Sequence, residues 1–423
     1  MNATTNWQSI QWFRMLIAAL FLTSLMACNI SINTDDDDDD DPHHDEYITL
    51  MVKLDGHQEN PMVDTDAWGW GEIKIDEDDM MIKGMITIYN LTPDAAHLHV
   101  GVAGTNGGVI VGLNQSSDSA DIWELQDTTL SADELAAVLN GKTYINFHTS
   151  AHPSGEIRGQ VLPHHIEISD FKLMGMYEVP VVDTQAMGYG WATVDHEMET
   201  LEVHVTTMDL DNATAAHIHQ GYAGVNGDVV VGLTQDSADM NHWSVMTDLD
   251  QTNSDLLHMG QLYVNVHSSD FAGGEIRGQI TIGKTHVLYT ELTGDQEVPA
   301  VTTDHSGLAS LTIMEKDDGG ADLVLYVHTD VDDATMAHIH AGLLGVNGGV
   351  VLGLVQDTSN LMNFSLMDSF TAEQLMAFLD DEYYINVHST TQASGELRGQ
   401  LMPDDDDMHD MNGDGSGNGS MNY

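Results

Sequence analysis

Three blocks of this sequence are near copies of one another. AAHLHVGVAGTNGGVIVGL runs from Ala95 to Leu113, AAHIHQGYAGVNGDVVVGL from Ala215 to Leu233, and MAHIHAGLLGVNGGVVLGL from Met336 to Leu354. A period of roughly 120 residues is too long for a solenoid unit and suits a self-contained domain. The chain must therefore build one domain three times within its 423 residues.

Other motifs recur in a fixed order around each block. Every repeat opens with a Glu-x-Pro stretch: HQENPMVDTDAWGWG from His57, MYEVPVVDTQAMGYG from Met176, DQEVPAVTTDHSGLA from Asp295. Segments such as METLEVHVTTMDL alternate apolar and polar residues, the period of a half-buried strand. SADELAAVLNG (131–141) reads as one short helix, with Ser131 and Glu134 at capping-box spacing and Gly141 to stop it. Thr371 and Gln374 repeat the box. A strand pair closes each repeat: TYINFHTSAHPSGEIRGQV, LYVNVHSSDFAGGEIRGQI, YYINVHSTTQASGELRGQL. The expected fold is all-β: three tandem Greek-key-like β-sandwich modules, each with one short helix, over residues 47–163, 166–283 and 286–403. The joints, Pro163-His164-His165 and Gly283-Lys284-Thr285, are short enough to restrict how modules sit.

The flanks are of another kind. MLIAALFLTSLMA after Arg14 is too short to span a bilayer and fits a signal-peptide core. It ends in Leu25-Met26-Ala27-Cys28, which resembles a bacterial lipobox. That resemblance implies a lipoprotein signal over residues 1–27, lipidation of Cys28, a membrane anchor and, with Asn29 following, an outer-membrane destination facing periplasm or cell surface. An ordinary secretory signal with a leftover thiol is the alternative. Seven consecutive aspartates (Asp35–Asp41) mark residues 28–46 as an acidic disordered tether, and residues 404–423 read the same way.

Charge and cysteine usage exclude much. Formal net charge is -57, with 68 acidic and 11 basic residues, so nucleic acid is excluded as a partner. Such an excess attracts cations and keeps a protein soluble. Cys28 is the only cysteine, so any metal site uses histidine and carboxylate. No Gly-x-Ser-x-Gly, P-loop or dinucleotide fingerprint is present. A binding protein is expected rather than an enzyme, with divalent cations among its partners.

The histidines carry the chemistry. Residues i and i+2 of a strand share a face, so His-x-His presents two imidazoles side by side. A third histidine follows in Asn-x-His, giving His97, His99 and His148; His217, His219 and His267; His338, His340 and His388. Ten residues later comes an arginine, Arg158, Arg277 or Arg398, the only arginines beyond the leader. Three imidazoles converging from two strands suit copper or zinc, one ion per module. The competing reading is structural: buried histidines that pin a turn through backbone carbonyls, and a Glu156–Arg158 ion pair, with Glu275 and Glu396 in the same place.

In sequence order, Glu-x-Pro, Ala-His-Ile-His-x-Gly, Tyr-x-Asn-x-His-Ser and Gly-Glu-Ile-Arg-Gly-Gln resemble the CHRD domain, named from chordin. That implies an extracellular all-β module and no particular activity. Module 1 departs in having Asn60 between Glu59 and Pro61. The pattern is also similar, more weakly, to Cu/Zn superoxide dismutase. That resemblance implies copper ligation by His217, His219 and His267, with Arg277 as an anion guide, and a redox enzyme as a third reading. The bridging histidine, zinc loop and disulfide of that family are missing here.

Overall fold

The computed structural model of the chain describes residues 47–402. The leader, Cys28, the aspartate run and the acidic tail lie outside those residues. Module 1 has eight strands: β1 (Ile48–Asp55), β2 (Trp68–Asp76), β3 (Met81–Tyr89), β4 (Ala95–Val100), β5 (Val109–Gln115), β6 (Ile122–Thr129), β7 (Thr143–His148) and β8 (Ile157–Gln160). They form one sheet in the order β1-β2-β3-β6-β5-β4-β7-β8, and β8 pairs back onto β1 at Asp55↔Arg158 to close a barrel. Modules 2 and 3 keep this order. There the strand equivalent to β5 is interrupted, into Val229–Gly232 and Thr234–Gln235, and into Val350–Gly353 and Val355–Gln356. Its two halves stand at opposite ends of the strand order, so the same ring is cut at one strand. The all-β, three-module expectation holds.

Period-2 alternation fills each barrel. Ile73 and Ile75 of β2, Leu98 of β4, Ile145 and Phe147 of β7, and Ile157 of β8 point inward and are fully buried. The intervening residues of β4, β7 and β8 point outward, yet many of them are buried too, including Tyr144, Asn146, Arg158 and Gln160. That second layer on the outside of the barrel is where the recurrent motifs meet.

The single helix, α1 (Ala132–Leu139), starts at Ser131 with both halves of the capping box formed and stops at Gly141, whose φ is +64°. Thr371 and Gln374 form the same box in module 3, while Asp250 alone caps the helix of module 2. Successive modules pack directly. Ala103 and Leu162 of module 1 and its joint meet Ile166, Ile168 and Trp191 of module 2. Across the second joint Tyr177 stacks on Tyr289 with centroids 3.8 Å apart.

Candidate metal centre

The outward face of β4 and β7 carries the histidines. His97 and His99 alternate with the inward Ala96 and Leu98, and His148 pairs in register with Ala95. Their ring nitrogens lie within 4.8 Å of one another, and the same holds for His217, His219 and His267 and for His338, His340 and His388. All nine candidate ligands are thus gathered, three to a module.

Backbone carbonyls fix two rings of each triad. His99 Nδ1 lies 3.1 Å from the Gly107 carbonyl and His148 Nδ1 3.1 Å from that of Pro153. Module 2 repeats this with His219 to Gly227 at 3.0 Å and His267 to Ala272 at 3.1 Å. Module 3 does so with His340 to Gly348 at 3.1 Å and His388 to Ala393 at 3.2 Å. A carbonyl only accepts, so each Nδ1 carries the proton and each Nε2 keeps a lone pair. In modules 1 and 2 those Nε2 atoms, with Nδ1 of His97 and His217, are buried and have no partner. In module 3, His338 Nδ1 lies 3.0 Å from His388 Nε2, so there two of the three inward nitrogens hydrogen-bond each other, while His340 Nε2 is buried without a partner. A buried polar atom without a partner costs about 1–3 kcal/mol. Three such nitrogens within 4.8 Å of one another fit a tetrahedral, nitrogen-ligated ion, with the second ring nitrogen of two of the three histidines held by a carbonyl as metal-bound imidazoles commonly are.

Electrostatics favours the ligand form. Burial pushes His99, His148, His219, His267, His338 and His388 below the ordinary histidine range, and neighbouring histidines add to this. Their rings therefore stay neutral to lower pH than an exposed histidine would.

The arginines are not where an anion guide would stand. Arg158, Arg277 and Arg398 are 1%, 0% and 0% exposed. Arg158 donates to the carbonyls of Thr105 (2.8 Å) and Val102 (3.0 Å) and to Gln160 Oε1 (3.1 Å). Its guanidinium lies 3.5 Å from the centre of the Tyr144 ring, and His99, from the strand on the other side, stacks on that ring at 4.9 Å. It braces the glycine-rich loop and, through Tyr144, the candidate ligand His99. The expected Glu156–Arg158 pair does not form: Glu156 accepts instead from Thr65 (3.0 Å) and Thr149 (2.6 Å). Glu275 and Glu396 likewise accept from Thr184 and Thr303. On a curved barrel the short β8 turns Arg158 under the loop, while Glu156, one residue before the strand begins, follows the turn.

The sequence reading missed the acid that does face the arginine. Glu59, of the Glu-x-Pro motif, is 4% exposed and accepts from Asn146 Nδ2 at 3.2 Å. Glu178 with Asn265 (3.3 Å) and Glu297 with Asn386 (2.7 Å) repeat the pair. Burial pushes Glu59 and Glu178 up to about 7, against the pull of the nearby arginine, and Glu297 in the same direction. Glu59 Oε1 and Asn146 Oδ1 are both buried without a partner, and a Cβ on Gly155 would overlap both. A carboxyl buried in this way keeps its proton to higher pH than an exposed one. The signal was present in the recurrence of Glu-x-Pro, which periodicity assigned only to a strand opening. A fourth group, His164, His165 and Glu197, also meets within 4.8 Å at the first joint, with His164 and Glu197 exposed.

An antiparallel ring of strands, closed in module 1 and interrupted at one strand in modules 2 and 3, with an outer layer of His-x-His, Asn-x-His, Glu-x-Pro and Gly-x-Arg motifs, defines a tandem all-β repeat protein. The CHRD domain family model matches residues 50–161, 170–280 and 288–401, and the chain belongs to that family as three tandem CHRD domains. No curated protein matches the chain.

Proposed function

We propose that this CHRD protein binds copper or zinc, one ion per module, through His97/His99/His148, His217/His219/His267 and His338/His340/His388. The observation that carries the reading is the set of buried, unpartnered ring nitrogens in modules 1 and 2, with two of the three tautomers in each module fixed by carbonyls on the far side of the rings. Each module supplies three nitrogens; the bound ion would supply Lewis acidity or redox capacity at the open position. The rest of the reading follows the sequence: an exported protein, anchored to the outer membrane through Cys28.

Metal analysis after dialysis of the full chain tests the binding. Three tightly held ions are expected, falling by one with each of His99→Ala, His219→Ala and His340→Ala. Because the acidic tails are common to every variant, their loose binding cancels in the difference. If all variants hold the same amount of metal, the histidines serve as turn anchors, and loss of stability without loss of metal should be seen instead. Membrane fractionation of Cys28→Ser tests the anchor: release or failed processing is expected, and normal retention contradicts it.

A further inference from the structure

Both joints use one interface. At the first, Gly104 in the glycine-rich loop of module 1 lies against Trp191 of module 2, so closely that a Cβ would overlap the indole. At the second, the equivalent Gly224 lies against Ser310 and Tyr326 of module 3, and His328 Nε2 donates to its carbonyl at 2.7 Å. Ser310 occupies the position of Trp191, as the matching registers show. The residue before the glycine, Ala103 or Ala223, is buried at both joints.

Each end of the three-module array presents one unmatched half. In module 3 the loop reads Leu343-Leu344-Gly345-Val346. Leu343, Leu344 and Val346 are 52%, 62% and 53% exposed, and nothing lies within 4 Å of a Cβ on Gly345. In module 1 the receiving face is the outer side of β1, β2 and β3, where Met51, Trp70 and Met85 are about half exposed. Charge matches these halves. At the first joint Lys142 Nζ stands 3.9 Å from Glu202. The position of Lys142 is taken by Glu382 in module 3, and that of Glu202 by Lys83 in module 1. Asp380 and Asp381 flank Glu382. Lys53, Lys74 and Lys83, three of the seven lysines in the chain, lie on the receiving face, Lys74 paired with Glu72 at 2.8 Å and Lys83 donating to Tyr47 Oη at 3.0 Å and lying 3.7 Å from Asp127, so that docking would exchange these exposed partners for Glu382.

We propose that the glycine-rich loop of module 3 docks on the outer β1–β2–β3 face of module 1 in a second copy of this chain, repeating the intramolecular joint between molecules. Such a contact is heterologous and does not close on itself, so it builds a linear head-to-tail series. The net charge of -57 opposes it until salt screens long-range repulsion.

Sedimentation velocity of the full chain at rising concentration and salt tests this. An open-ended series of oligomers is expected. Leu344→Asp and Lys83→Glu should each weaken association by about tenfold or more, and Lys83→Glu combined with Glu382→Lys should restore it. Mixing the Leu344→Asp chain with the Lys83→Glu chain should give a species that stops at one to one. A chain that stays monomeric throughout, a closed symmetric dimer, or association indifferent to Leu344→Asp would each overturn the proposal.

Discussion

Among single residues, two buried ionisable groups in each module do most to shape the candidate site. Arg158 donates to the Thr105 and Val102 carbonyls of the loop, the second of which also accepts from Thr105 N and Oγ1, so Arg158→Met should destabilise module 1 by about 3–5 kcal/mol through the orphaned Thr105 carbonyl and the lost brace; thermal unfolding checks this. Glu59 behaves oppositely to a salt-bridged carboxylate. Its folded-state value, about 7, lies above the ordinary 4.5. The native state thus binds more protons than the unfolded chain between those limits, and stability from this group falls as pH rises from about 4.5 through 7. Glu59→Gln, which keeps the shape and adds a donor toward Asn146, should remove that slope. Urea unfolding of both proteins at pH 5 and pH 8, with chelator present, measures it. The variant should gain relative to the parent at pH 8 and not at pH 5; equal differences at both values would mean that Glu59 is ionised in the fold throughout.

For the elements, the glycine-rich loop has two tasks, and they separate by position. Gly104 has φ +76° and lies against Trp191, whereas Gly345 has the same φ and open space around it. Gly104→Ala should therefore cost more than Gly345→Ala, the difference reporting the joint and the common part the backbone strain. Calorimetry of the two variants compares them; equal losses would remove the joint from the account. The barrel strands, the capped helix and the facing histidines were legible from period-2 alternation, box spacing and i, i+2 geometry. The Arg158 brace was not, because the pattern shows only that Arg158 and Glu156 are two apart. It does not show that Glu156 precedes the strand and turns toward Thr65 and Thr149. Nor does periodicity show that the outward face of β7 is roofed by a loop, which is why Tyr144 and Asn146 are buried although they point away from the barrel core.

Across the whole molecule, three copies of one strand order place three copies of one histidine triad on a strongly acidic body. Depressed protonation of six of the nine candidate ligands would let the triads compete for metal below the ordinary histidine range, where an exposed histidine pair would already be charged. Metal release on acidification should accordingly begin below about pH 6.5, which a pH titration of zinc-loaded protein reads. X-ray absorption of the full chain loaded with three equivalents of zinc tests the central claim most directly. The account expects imidazole scattering with about three nitrogens at ~2.0–2.1 Å, lost in part with each histidine substitution. A shell of carboxylate oxygens without imidazole features, unchanged in the His99→Ala, His219→Ala and His340→Ala proteins, would contradict it.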